Sequence, residues 1–264
     1  MAESLFALPR DVLVVRGPDR KTWLDGLLTC AVGDVAVGKA GYGLLLTKVG
    51  KIVTDVFLVD SGTELFVGVA AGRGAEVREL LDRYLVMEDA ELDVAPPDLA
   101  FVVGTGELAD AVAAGALTLP GFTTQIALHQ AAASAGPSPA ALFAEHGLGT
   151  FGVDFGERDN PHEASLDRVA VSWTKGCYLG QEVVCMQDMR GKVKRRLVAL
   201  DGGPELLAGE APAEVVAGDG SVAGHVSSVH RTPGGARLMA SLSTSALESH
   251  GAFSVRGAPV RVVS

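Results

Sequence analysis

Cysteine is scarce in this chain, with only Cys30, Cys177 and Cys185 among 264 residues. So small and odd a count excludes a disulfide framework and fits a reducing compartment. Aromatic residues are equally sparse, at 5%, so any clustering of them is informative. Positive charge is short as well. The formal net charge is −10, and a uniformly acidic surface repels the phosphate backbone, which argues against bulk nucleic-acid binding. Small ligands and acidic cofactors stay open, because a local basic patch can still form. No apolar run approaches the roughly 18–20 residues that span a bilayer. The opening MAESLFALPRDVLVV lacks the basic and long apolar regions of a signal peptide. A cytoplasmic protein that neither enters membranes nor binds nucleic acid is the expectation. A dinucleotide fingerprint is also missing: Gly104-Thr105-Gly106 is followed by Ala109 where the third glycine would stand.

What is present is enough for a core. The chain is 48% hydrophobic and 20% charged, which describes a folded protein rather than a tether. Its length suggests two or three small domains. Asp11 to Arg16 reads as a strand, and Gly17-Pro18-Asp19 opens a helix with Trp23, Leu24, Leu27 and Leu28 on one face. Gly41–Lys48 and Lys51–Asp60 read as a hairpin joined at Val49-Gly50, and Glu64–Ala70 as a further strand. Val77, Leu80, Leu81, Tyr84 and Leu85 mark an amphipathic helix. This order predicts an antiparallel sheet with helices on one face, an α+β layer.

In the middle, Leu99–Val103 and Gln125–Leu128 suggest strands and Ser138–His146 a helix. The alanine-rich stretches 111–116 and 131–135 read as exposed helix or linker. Short β-like runs then appear at 192–200, 213–217, 221–228, 236–242 and 259–263, punctuated by glycine pairs. They predict a small β-barrel or sandwich, with the chain cut near Arg190-Gly191 into 1–190 and 191–264.

Just before that cut lies WTKGCYLGQEVVC, which holds two of the cysteines. In it Lys175-Gly176-Cys177 sets a thiol after a flexible glycine and near a cation, and a nearby cation lowers a thiol pKa. Tyr178 offers a flat amphipathic surface, and Gly180 a tight turn or close backbone approach. Gln181-Glu182 carry amide and carboxylate groups suited to the edge of a polar heterocycle. A lone cysteine of this kind is a packing residue; the whole octapeptide KGCYLGQE is harder to explain by packing. Cys177 and Cys185 are eight apart and share no metal spacing with His162, His225 or His230, so no zinc site is expected.

KGCYLGQE resembles the signature of the YgfZ family, the folate-binding branch of the aminomethyltransferase (glycine-cleavage T-protein) superfamily concerned with iron–sulfur cluster maintenance. The likeness runs along most of the chain. It takes in Val15–Asp19 with Trp23-Leu24, the hairpin Gly41–Asp55, Gly152-Val153-Asp154 and Pro161–Ala164. Arg190–Val193 and Gly224–Ser228 continue it. The resemblance implies a three-domain ring: two discontinuous, ferredoxin-like α+β units and a C-terminal β-barrel around a central ligand hole. It implies tetrahydrofolate or a one-carbon derivative, polyglutamylated or not, as cofactor, and iron–sulfur client or carrier proteins as transient partners. Cys177 would be the working residue. Folate would meet Asp55, Glu163, Lys175, Gly176, Tyr178, Gly180, Gln181, Glu182 and Arg190.

For several of these a plainer reading stands beside the functional one. Asp55 is either an edge-strand or capping aspartate, or an acceptor for pterin N–H groups. Glu163 is either a helix-start acid or a ligand. The basic cluster of Arg190, Lys192, Lys194, Arg195 and Arg196 is either a solvated strand or a landing site for a glutamate tail. The chain also departs from the family. Cys185-Met186 replaces an expected Ala-Arg, and Cys30 follows Thr29 where relatives carry an acid or amide. Thr54-Asp55 stands for the aspartate pair of true aminomethyltransferases, and Cys177 for their aspartate. An assembly or repair factor is therefore expected before a folate-dependent aminomethyltransferase or demethylase, with a non-catalytic scaffold as the third possibility.

Overall fold

Long apolar runs fill the first half of the chain, and most fold as strands. The computed structural model describes residues 5–104, 111–130, 139–191, 193–208, 211–249 and 251–263. Two units form, Met1–Pro139 with Arg168–Gln181 and Ala140–Asp167 with Glu182–Ser264. The first carries β1 (Leu5–Leu8), β2 (Arg10–Arg16), α1 (Arg20–Asp25), β3 (Gly38–Leu46), β4 (Ile52–Asp60) and β5 (Leu65–Ala70). It continues with α2 (Gly74–Asp82), β6 (Glu91–Val94), β7 (Leu99–Gly104), β8 (Ala113–Leu119) and β9 (Phe122–Gln130).

These strands make one nine-stranded sheet in the order β1-β7-β9-β8-β3-β4-β5-β2-β6. Every pairing is antiparallel except β3 with β8, which are parallel over Gly38↔Gly115 and Lys39↔Ala116. All of β4 is buried, as expected of a largely apolar strand covered on both faces, although it carries Thr54, Asp55 and Asp60. One face packs α1 and α2 through Leu24, Val77 and Leu81 against Leu13, Leu58 and Val67. The Trp23 indole N–H donates to the Tyr84 carbonyl at 3.0 Å, satisfying the polar end of a buried ring.

Pro9 alone separates β1 from β2, yet β1 is one edge of the sheet and β2 is next to the other. The sheet must therefore curl until its ends approach. Phe101 on β7 accordingly packs against Gly68 on β5, where a Cβ would lie 2.9 Å from its ring.

The second unit carries α3 (Ala140–Glu145), α4 (Gln181–Arg190), β10 (Arg195–Gly202), β11 (Ala213–Ala217) and β12 (Val222–Thr232). β13 (Gly235–Ser243), α5 (Thr244–Glu248), β14 (Phe253–Val255) and β15 (Ala258–Val263) follow. Its six strands close a barrel in the order β10-β13-β12-β11-β14-β15. Val215, Val226, Leu238, Leu242 and Val255 fill the barrel core. The α+β class and the barrel expected from the sequence are both observed. Among the described residues no helix is long and apolar enough to cross a membrane.

Three expectations need correction. The stretch 111–116 is no helix or linker but enters β8, whose burial alternates from Ala113 to Leu119. Its small residues allow close approach, since a Cβ on Gly115 would sit 2.4 Å from the Lys39 carbonyl carbon. The β3–β4 connection is longer than Val49-Gly50: Thr47 N–H donates to Lys51 O at 2.8 Å, and Gly50 takes φ +71°. Finally, Asp55 is neither an edge nor a capping residue, because β4 lies between β3 and β5. The alanine stretch 131–135 and Lys192 lie outside the described residues.

Candidate functional site

Residues 168–181 lie with the first unit and carry most of the signature. Ser172 N–H donates to Thr29 O at 2.9 Å, and the Thr29 hydroxyl donates to Ala170 O, so the segment is strapped down before the bend begins. The Lys175 ammonium then turns inward. It donates to the carbonyls of Asp25, Leu28 and Cys30, the last two at 2.9 Å, and lies 3.1 Å from Asp25 Oδ1. Only 4% of its side chain is exposed. This lysine clamps the bend instead of pointing at the thiol, as its sequence position had suggested. Tyr178 is buried, with its ring centroid 5.7 Å from the same ammonium. Gly180 takes φ +81°, and a Cβ there would meet Thr47 O at 2.5 Å, so the tight approach read from the sequence is real.

Between these anchors Gly176 has open space around its Cα, and Cys177 is exposed. The other two cysteines differ. Cys30 is buried and its thiol is pushed up to about 12 by burial, which outweighs the pull of Lys175. Cys185 is half-buried on α4. Gln181 and Glu182 begin α4, with Gln181 N–H donating to Tyr178 O at 3.2 Å. A cleft of about 460 Å³ lies beside the bend, lined by Lys21, Asp25, Asp34, Thr174 and Gly176.

Asp55 is buried elsewhere in the first unit, and both of its carboxylate oxygens are hydrogen-bonded. Arg10 grips both oxygens, with Nη2 at 2.9 Å from Oδ2, and the Tyr42 hydroxyl donates to Oδ2 at 3.3 Å. The Arg10 guanidinium also lies 4.8 Å from the Phe57 ring centroid. Burial is the largest single influence on the Arg10 pKa and lowers it, but the Asp55 charge, its hydrogen bond and Tyr42 together outweigh burial and the pKa rises. Burial and that same negative charge push the Tyr42 phenol well up. Tyr42 also lines a cleft of about 880 Å³ with Lys39, Gly41, Leu117, Val171 and Ser172.

The remaining expected residues lie in the second unit. Glu163 and Asn160 form a reciprocal pair: Asn160 N–H donates to Glu163 Oε2 at 3.1 Å, and Glu163 N–H donates to Asn160 Oδ1 at 2.9 Å. Arg190 is exposed at the end of α4. In the basic cluster, Arg195 pairs with Asp159 at 2.8 Å and Arg196 with Asp167 at 3.2 Å, which leaves it less free charge than the sequence suggested.

Two motif stretches from the sequence do meet here. Asp154 Oδ1 accepts from Ser227 at 2.6 Å and Ser228 at 2.7 Å, while Oδ2 accepts from Thr150 N–H at 2.8 Å. His230 Nε2 lies 3.0 Å from Ser228 Oγ. Ser228 gives its proton to Asp154, so the imidazole must donate.

Sequence reasoning missed Arg10, Asp25 and Tyr42. A charged residue in the middle of the largely apolar β4 was a usable signal that Asp55 needed a buried partner. Nothing local pointed to Asp25.

This architecture is the aminomethyltransferase fold. The crystal structure of the glycine cleavage system aminomethyltransferase T from Bartonella henselae superposes with a TM-score of 0.76 over 99% of this chain and 85% of that one, at 16% identity. Among curated sequences, the chain is similar to the mitochondrial iron–sulfur cluster assembly factor IBA57 homolog of Neurospora crassa, 25% identical over 246 residues. That alignment takes in 80% of this chain and 55% of the fungal protein, so the chain spans about half the length of that relative. No family model matches the chain. Both likenesses agree with the resemblance drawn from KGCYLGQE.

Proposed function

We propose that the protein assists the assembly or repair of iron–sulfur clusters in client enzymes, with Cys177 as its working thiol. The observation that carries this reading is the contrast among the three cysteines. Cys30 is buried at the wall of the cleft beside Tyr42, and Cys185 is half-buried on a helix. Cys177 is exposed on a bend whose neighbours on both sides are pinned. An exposed sulfur on a rigid mount contributes no packing, so its placement asks for a reaction partner. The similarity to a fungal assembly factor supports the same direction. Iron–sulfur clients or carriers are then its transient partners, and the three free cysteines favour a reducing compartment such as the cytoplasm.

Tetrahydrofolate or a one-carbon derivative is the ligand that the fold likeness suggests, and its fit is uneven. Asp55 already accepts from Arg10 on both oxygens and from Tyr42 on Oδ2, so a pterin would meet it only through remaining acceptor capacity on Oδ1. Lys175 and Glu163 are likewise engaged. The folate proposal rests instead on the cleft beside Tyr42, whose volume of about 880 Å³ accommodates a pterin. A folate-dependent aminomethyltransferase is the second reading, and the fold favours it. The test is paired. Cys177→Ser abolishes cluster repair of a client enzyme while calorimetric titration of tetrahydrofolate stays unchanged. Full repair by Cys177→Ser removes the thiol from the mechanism, and methylene transfer from an amine donor to tetrahydrofolate decides for the enzyme.

A further inference from the structure

The Lys175 ammonium occupies a box of four oxygens, three of them backbone carbonyls. One carbonyl is free for a structural reason: the Thr29 N–H, which would continue α1 onto Asp25 O, bonds to Leu44 O at 3.0 Å instead. Helix ends leave such carbonyls to be satisfied by other donors. The fourth wall is the Asp25 carboxylate. Its Oδ1 accepts from Val32 N–H at 2.8 Å and lies 3.1 Å from Lys175 Nζ. A buried ammonium holds its charge only where close partners replace its lost hydration, and a carboxylate supplies the balancing charge that carbonyl dipoles lack.

We propose that Asp25 is a positioning residue for the Cys177 thiol: it holds the Lys175 ammonium and so fixes where the bend presents its sulfur. The proposal rests on the reading of Cys177 as the working thiol. A single residue, Gly176, separates Lys175 from Cys177, and a side chain there would meet nothing within 4 Å. With no side chain at residue 176 to hold the bend, its path depends on the anchors at either end. Tyr178 and Gly180 supply the far anchor. Asp25 and the carbonyl box supply the near one.

The experiment compares full-length wild type with Asp25→Asn, Asp25→Ala, Lys175→Ala and Cys177→Ser. Hydrogen exchange of the Ser172 and Gln181 amides, which are hydrogen-bonded at the two ends of the bend, and the pH profile of Cys177 alkylation by iodoacetamide, located by peptide mass spectrometry, report the bend. In Asp25→Asn and Lys175→Ala, protection of these amides falls about tenfold while β4 and β5 keep theirs. Alkylation of Cys177 changes its pH profile in both variants. Adding n-propylammonium, which replaces the atoms deleted in Lys175→Ala, restores protection and profile in that variant. It does not restore them in Asp25→Ala, which lacks the carboxylate wall.

Unchanged protection and an unchanged profile in both variants overturn the proposal. So does a loss spread across the whole first unit that n-propylammonium fails to reverse, since the pair is then a bulk stabiliser. Cluster repair is measured alongside. Full repair by Cys177→Ser defeats the functional reading and leaves the exchange and alkylation results to judge Asp25 on their own.

Discussion

Asp55→Ala removes the counter-ion from beneath Arg10, whose side chain is only 7% exposed. Among the described residues Arg10 Nε already lacks a hydrogen-bond partner, so the guanidinium then keeps little beyond its contact with Phe57. Breaking a buried pair from one side costs about 3–5 kcal/mol, because a charge is left without compensation. In a unit of this size each kcal/mol moves the midpoint by about 2–4 °C, so the first unit melts roughly 6–20 °C lower. Arg10→Met strands the carboxylate and loses a similar amount. The double variant Arg10→Met/Asp55→Ala removes both charges and loses less than the two singles together, by about 3 kcal/mol. Urea unfolding followed by tryptophan fluorescence measures all four proteins, since both tryptophans, Trp23 and Trp173, belong to the first unit. Losses that add to within about 0.5 kcal/mol refute the pairing. Unchanged stability with weakened tetrahydrofolate binding in Asp55→Ala returns the carboxylate to the ligand.

Iodoacetamide at pH 8 modifies Cys177 in the native protein and leaves Cys30 untouched until denaturant is added; early labelling of Cys30 contradicts its burial. Because the folded Cys30 thiol titrates at about 12 against an ordinary 9.0, its contribution to stability is complete below about pH 9 and is lost as the pH climbs toward 12. A Cys30→Ala variant with the same alkaline slope in unfolding experiments argues against this. Gly180→Ala forces a Cβ into Thr47 O and a left-handed backbone, so it destabilises the first unit by about 1–3 kcal/mol, read from its melting curve. Asp154→Ala leaves the Ser228 hydroxyl and the Thr150 N–H without their acceptor, while Ser227 still reaches Met239 O at 3.1 Å, and lowers barrel stability by about 1–3 kcal/mol, read by circular dichroism.

The strands and the barrel were legible because their apolar periods are local. β4 reads as a strand from nine residues alone, and the barrel strands are separated by glycine turns. α4 was not legible: Val184 is its one fully buried residue, so it lacks the 3.6-residue apolar stripe that marks most surface helices. β8 was hidden by alanine, whose usual helical preference yields here to a close backbone approach at Gly115. At the site, the sequence exposed the thiol bend and its Gly180 turn, both properties of neighbouring residues. It did not reveal that Lys175 faces the end of α1, 145 to 150 positions away, or that Arg10 claims Asp55 from 45 positions away. Long-range pairings of this kind depend on the curl of the sheet.

The parallel join of β3 and β8 rests on two residue pairs, whereas the strands on either side of it share much longer ladders. The first unit is thus a pair of modules riveted at a narrow weld and stitched once more by the chain itself at Pro9. Stress on either module concentrates along that fault line, and the hydrogen atom that stands in for a methyl group at Gly115 lets the weld close.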